Sequence, residues 1–168
     1  AISPYSLAKI SSTHFLQMLH RTENFPATIL RFFLVYGMCQ NINRFIPQII
    51  NGCTKNLKFA TTQGNQVRDF CYIEDAVRAI FLALISKKSE GEIFNVGYGK
   101  PVKIRLVIEL IKRIIGKGKT KYGKIKYRKG TNALLYDDNK KIKKLLGWKV
   151  NVNLEDGLRK TIKDLNKV

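Results

Sequence analysis

Tyr5 and Lys9 stand four residues apart in the run S-P-Y-S-L-A-K-I-S-S, residues 3–12 of a 168-residue chain. Positions i and i+4 of a helix share a face, so a helix here sets a phenol beside an ammonium. The ammonium stabilises an ionised phenol, and such a pair can take a proton from a hydroxyl or return one. Taken alone, Y-x-x-x-K also occurs on solvated helix surfaces, and the spacing leaves both readings open. Arg68, in R-D-F, and Arg128, in Y-R-K-G, form a second set. A guanidinium offers a planar fork of donors that matches phosphate oxygens, whereas a lysine acts as a point charge. The same arginines also suit surface ion pairs. Asp69 and Asp75 read as structural, Asp75 at a helix start where the dipole favours a carboxylate. His14 and His20 have no identifiable partner. Cys39, Cys53 and Cys71 are odd in number and lack C-x-x-C spacing, which points to free thiols and not to a disulfide framework or a zinc site.

The elements that must position these residues alternate between helix and strand. Residues 5–22 carry Leu7, Ile10, Phe15, Met18 and Leu19 near 3.6 spacing behind Pro4, which predicts a helix. The apolar run 27–36, closed by Gly37, reads as one buried strand with helices on both of its faces. A short helix follows over about 44–51, with Pro47 in its first turns, and then a strand around 57–61. Residues 73–86 are apolar nearly all round and predict a buried helix. A strand over 92–96 ends at Gly97 and Gly99, and an amphipathic helix over 104–115 stops at Gly116. Beyond the basic loop 117–129 the pattern predicts a short helix near 139–146. A final helix over 154–165 is capped by Asn153 with Asp156 three residues on.

Composition sets the outer limits. At 45% hydrophobic the chain can build a real core. No apolar run approaches the roughly 20 residues of a membrane span, and the first residues lack a signal pattern, so the cytoplasm is the default compartment and a membrane is not an expected partner. The 31 basic residues against 12 acidic ones give a net charge of +19, and residues 100–149 hold 17 of the basic residues and 3 of the acidic ones. Such a field attracts anions. No stacking aromatics are interleaved with the cations in a recognisable motif, so nucleic acid is a remote partner compared with a phosphorylated small molecule.

Six segments in order carry a resemblance: P-Y-S-L-A-K, L-R-F-F-L-V-Y-G, N-R-F-I-P, V-R-D-F-C-Y-I-E-D-A-V-R-A, F-N-V-G-Y-G, and Y-R-K-G with L-L-G-W-K-V and L-E-D-G-L-R-K-T-I. Over essentially its whole length the chain resembles the extended short-chain dehydrogenase/reductase family, the nucleotide-sugar epimerases and dehydratases. The resemblance implies an α/β fold: the C-terminal part of a Rossmann-like doubly wound parallel sheet plus a small α/β substrate-binding lobe. Residues 1–40 and 70–100 would be the remnant of the NAD(P)-binding domain, and 41–69 and 101–168 the lobe. Tyr5 is then the acid or base that exchanges a proton with a sugar hydroxyl during hydride transfer, with NAD or NADP as cofactor. Lys9 hydrogen-bonds the nicotinamide ribose and favours the ionised tyrosine. Phe33, Leu34 and Tyr36 neighbour the nicotinamide and the sugar. Asn43 binds the phosphates, Leu57, Lys58 and Phe59 hold the base, and Arg68 and Arg128 clamp the diphosphate of a nucleotide-diphosphate sugar. A homodimer through the tyrosine helix is a further family expectation.

The chain departs from the family pattern at Leu34, where many relatives have Asn, at Thr131, where they have an acidic residue, and at Met38-Cys39, where they have Pro-Gly. The identity of the sugar and the choice among epimerisation, dehydration and reduction stay open. The glycine-rich turn that receives the cofactor pyrophosphate is not found either, because G-Y-G at 97–99 and G-K-G at 116–118 lack its spacing and context. The chain therefore reads as the C-terminal half of an enzyme, expected to be inactive alone. The alternatives are a truncated, non-catalytic module that still binds a nucleotide sugar and, more remotely, a basic nucleic-acid-binding protein.

Overall fold

The computed structural model describes residues 3–128 and 130–165; Lys129 of Y-R-K-G and the outermost residues of the expected domain ranges lie outside these. Helix α1 spans Pro4–Glu23. It starts where it does because Ser3 caps it: its side chain accepts from the Ser6 N–H at 3.1 Å while the Ser3 N–H donates to Ser6 Oγ at 3.0 Å. Pro4, which has no N–H to lose, occupies the first helical position.

The run expected as one strand is two, β1 (Ile29–Phe32) and β2 (Leu34–Tyr36), and Phe33 is where the chain changes partner. The Phe33 N–H donates to Val96 O at 3.0 Å, and the next N–H, of Leu34, donates to Asp69 O at 3.1 Å. Helix α2 (Phe45–Thr54) and strand β3 (Lys58–Ala60) follow as expected. Strands β4 (Val67–Arg68) and β5 (Phe70–Tyr72), which the sequence pattern does not announce, lead into α3 (Ile73–Ile85) and β6 (Ile93–Val96). The remainder comprises β7 (Val102–Lys103), α4 (Ile104–Ile115), β8 (Lys119–Lys121), α5 (Lys140–Leu146) and α6 (Leu154–Leu165). β1 pairs in parallel with β6, β2 with β5 and β3 with β8, and among the described residues only β4 and β7 run antiparallel. Parallel pairing with a helix in each crossover is the α/β arrangement.

Two apolar clusters fill the interior. In one, α2, α4 and α6 close over Tyr36, Phe70 and Tyr72, with Ile50, Ile108 and Leu158 at its centre. In the other, α5 and Trp148 pack with β6 and α3 around Phe94, Val96 and Ile142. Asp75 joins them. It is fully buried, and its carboxylate accepts from the N–H groups of Asn151 and Val152, each at 3.1 Å, and pairs with Arg78, while its carbonyl accepts from Trp148 Nε1 at 2.9 Å. The cap expected for α6 is present, with the Asp156 N–H donating to Asn153 Oδ1 at 2.9 Å.

Helix α3 departs from the expectation of burial all round. Asp75, Ala76, Ala79 and Ala83 are buried, but Val77, Ile80, Phe81, Leu84 and Ile85 are exposed, Leu84 by 81%. On α1, Leu7, Ile10, Phe15 and Met18 are likewise exposed. Helices that are apolar on two faces but packed on one leave an uncovered surface of the kind that marks a contact. No helix among the described residues is long and apolar enough to cross a membrane.

Candidate functional site

The capped first turns of α1 hold Tyr5 and Lys9 on one face, with the Lys9 ammonium 5.7 Å from the centroid of the Tyr5 ring. That distance suits a cation–π contact. Tyr5 is 73% exposed, so its hydroxyl is open to a reacting group.

The break between β1 and β2 turns Phe33 and Leu34 toward a cavity of about 290 Å³, shared with Arg31, Arg68, Asp69 and Leu135. Leu34 and Arg68 also line an adjoining groove of about 390 Å³, whose other walls include Phe45, Phe59, Thr61, Gln66 and Ile125. The two spaces thus share a wall made of one aliphatic and one cationic residue. Arg68 is held there by its neighbours: Nη1 donates to Val67 O at 2.7 Å and Nη2 to Asn132 O at 2.9 Å. Burial lowers its pKa, as expected for a cation partly removed from water. On the other side of Leu34 a third hollow runs past Tyr36, Gln40 and Arg44 to the start of α2.

Of the residues named from sequence, these hollows collect Phe33, Leu34, Tyr36, Phe59 and Arg68. They do not include Tyr5, Lys9, Asn43, Leu57, Lys58 or Arg128. Asn43 is exposed and shapes the entrance to α2: its N–H donates to Asn41 Oδ1 at 2.8 Å and its carbonyl accepts from Gln48 Nε2 at 2.9 Å. Alternation along β3 sends Phe59 inward and leaves Lys58 in solvent opposite Lys119, and Leu57, just ahead of the strand, is exposed as well. Arg128 is exposed in a turn closed by Thr131, whose N–H and Oγ both donate to Arg128 O. That turn leads directly to Asn132, the residue that fixes Arg68.

Sequence reasoning missed Arg31, Asn95 and Asp137. Arg31 and Asn95 are neighbours only because β1 and β6 pair in that register, and both line the first cavity. Asp69 reads as structural from the sequence; its carboxylate accepts from the N–H groups of Tyr98 and Gly99, each at 2.7 Å, and of Asp137 at 3.1 Å. Burial raises its pKa, opposed by those three donors. Asp137 was not singled out. Burial first, and Asp69 second, push its carboxyl up to about 6. Cys71 is pushed up to about 12, mainly by burial, which keeps it a thiol; among the cysteines only Cys39 is exposed.

The glycine clusters do not form phosphate cradles. Gly97 packs against the side chains of Asp69 and Asp137, where the Asp69 carboxylate would repel an anion, and Gly116 ends α4 in a left-handed conformation at φ 79°. A helix C-terminus carries the wrong end of the dipole for pyrophosphate. No pyrophosphate seat is present among the described residues.

The chain is similar in sequence and in fold to known proteins. Residues 1–97 match the model of the NAD dependent epimerase/dehydratase family. The chain is 34% identical over 166 residues to a UDP-glucuronate 4-epimerase of Thermodesulfobacterium geofontis, covering 96% of this chain and 50% of that protein. It is 33% identical over 176 residues to a dTDP-glucose 4,6-dehydratase of Haemophilus influenzae, covering 96% and 51%. The crystal structure of a UDP-glucuronic acid 4-epimerase from Bacillus cereus, in complex with UDP-glucuronic acid and NAD, superposes with a TM-score of 0.90 at 30% identity, covering 99% of this chain and 53% of that one. The chain spans about half the length of the curated relatives it matches. With a parallel α/β sheet, a tyrosine–lysine pair on its first helix and relatives of this kind along its whole length, the chain belongs to the NAD dependent epimerase/dehydratase family.

Proposed function

We propose that this chain is the substrate-side half of an NAD-dependent nucleotide-sugar epimerase or dehydratase. The observation that carries the reading is the wall shared by Leu34 and Arg68, which joins an apolar groove of about 390 Å³ to a second cavity beside Phe33. A nucleotide sugar needs such a pair of spaces, one for a flat base and one for a sugar, with a cation between them for the diphosphate. Arg68 supplies that cation, and Arg128, close in sequence to the Asn132 carbonyl that Arg68 grips, is the second arm of the clamp. Phe59 forms one wall of the base pocket, with Leu57 and Lys58 at its rim, and Asn43 stands at the entrance to α2 for the phosphates.

Bound NAD supplies hydride transfer at a sugar carbon. Tyr5 gives or takes the hydroxyl proton that accompanies it, and Lys9 holds the cofactor ribose and favours the ionised tyrosine. Residues 1–40 and 70–100 form the cofactor side and residues 41–69 and 101–168 the substrate lobe; activity requires the partner half of the fold that seats the pyrophosphate. A cytoplasmic homodimer in contact through α1 fits the exposed Leu7, Phe15 and Met18.

The test is a Tyr5→Phe variant of the full-length protein, assayed with UDP- and dTDP-sugars. Turnover should be lost while NAD still binds, and unchanged turnover would remove Tyr5 from the mechanism. Titration of the full-length protein separates the reading from a purely binding module: a nucleotide sugar bound without NAD, in a protein that lacks turnover, favours the module.

A further inference from the structure

Residues 131–139 form a strap across the substrate side of the sheet, pinned at two places. At the first, the Val67 N–H donates to Ala133 O at 2.8 Å and the Leu135 N–H to Val67 O at 3.1 Å, and Arg68 grips Asn132 O. At the second, the Asp137 N–H donates to Asp69 Oδ2 at 3.1 Å, and Asn139 Nδ2 to Gly97 O at 2.9 Å. Between the pins, Leu135 lines the cavity with Arg68, Phe33 and Leu34.

The second pin contains two carboxylates where one would suffice. Asp69 is fully buried and Asp137 is 3% exposed. A methyl group placed on Gly97 would lie 3.0 Å from Asp69 Oδ2 and 3.1 Å from Asp137 Oδ2, so both acids press on the same few atoms. Their surroundings differ. Asp69 receives three backbone N–H donors, whereas neither oxygen of Asp137 meets a donor in bonding geometry, and the Gly97 backbone only eases its charge. The titratable and charged groups that bear on Asp137 are Asp69 from the β4–β5 junction, Asp138 beside it in the chain and Lys143 on α5, with the Cys71 thiol of β5 also coupled to it. Two like charges in one buried site cannot both ionise at low cost, and the proton stays with the acid that lacks donors.

We infer that Asp137 is a positioning residue, a latch whose protonation favours the strap lying closed on the sheet, with Leu135 and the Asn132–Arg68 contact held against the cavity. The consequence for substrate rests on the reading of that cavity given above, but the latch itself does not. The direction follows from the carboxyl being pushed up to about 6 when closed and returning to 3.8 in water when open. The closed form holds a proton that the open form releases, so opening becomes easier as pH rises from about 4 to about 6 and levels off above that.

The experiment is amide hydrogen exchange of the strap in the full-length protein, corrected for intrinsic rates, at pH 4.5 and 7.5. The exchange competence of the segment containing Leu135 and Asp137 should rise roughly ten- to thirtyfold over that interval in the wild type. Asp137→Asn, which mimics the protonated acid, should remain closed at both pH values, and Asp137→Ser provides a smaller neutral check. Equal protection of the wild-type strap at both pH values would overturn the proposal, and so would an equal loss in wild type and Asp137→Asn. UDP-sugar affinity, measured alongside, should weaken with pH in the wild type only. Absence of nucleotide binding at every pH would count against the substrate reading and leave the exchange result to judge the latch.

Discussion

The Lys9 ammonium lies 5.7 Å from the centroid of the Tyr5 ring, one helical turn along α1, on a surface where the tyrosine hydroxyl is open. Proton transfer by such a group contributes about 10²- to 10⁴-fold to a rate. In the full-length protein, Lys9→Met should lower kcat within that range and weaken NAD binding, and Tyr5→Phe should lower kcat and leave NAD binding intact. Steady-state kinetics together with cofactor fluorescence titration checks both. A Lys9→Met enzyme with normal kcat would leave the contact as surface packing.

Arg68 spans from Val67 O to Asn132 O with two nitrogens of one guanidinium. A lysine cannot reproduce that fork. Arg68→Lys should therefore behave almost as badly as Arg68→Ala, each raising KM for a nucleotide sugar about tenfold or more, with a smaller effect on NAD. Full retention of substrate affinity in Arg68→Lys would show that only the charge matters.

Asp75 is buried and satisfies two N–H groups of the chain leading into α6. Asp75→Ala leaves those donors and Arg78 without their acceptor, at a cost of at least about 2 kcal/mol. Urea unfolding of the full-length protein should show a lower midpoint, with Asp75→Asn intermediate. An unchanged midpoint would mean that water replaces the carboxylate without penalty.

Val77, Ile80, Phe81, Leu84 and Ile85 on α3, with Leu7, Ile10, Phe15 and Met18 on α1, present apolar surface to solvent. Residues 1–168 produced alone should self-associate or precipitate, and substituting Leu84 and Phe81 by Lys should improve their solubility. Size-exclusion chromatography and a thermal melt decide the matter: a cooperative, monomeric melt of the unmodified chain would contradict the expectation.

Much of the helical framework was legible because helices announce themselves locally. Pro4 and the spaced apolar residues placed α1, Gly116 ended α4, and the Asn153–Asp156 pair opened α6. Strands β4, β5, β7 and β8 have two or three residues each, too few for alternation to register. The run 27–36 looked like one strand because its apolar character does not change at Phe33; what changes there is the partner, from Val96 to Asp69. Helix α3 looked buried because its composition is apolar on every side, but composition cannot say which neighbours are present to cover it.

In the site the division is similar. The sequence alone determined the tyrosine–lysine pair, because i to i+4 is a property of one helix, and the ordered motifs that mark the family. Only the tertiary structure decided that Phe33, Leu34, Phe59 and Arg68 border joined hollows while Lys58 and Arg128 face solvent, and that Arg31 lies beside Asn95. Asp137 is the sharpest case. Its neighbours in the chain are an exposed tyrosine and an exposed aspartate, and nothing in Y-D-D-N distinguishes it. Its proton is governed by burial and by a carboxylate from the β4–β5 junction. Periodicity reports which face of one element a residue takes, whereas the electrostatic environment of a buried acid is set by which distant segments fold onto it.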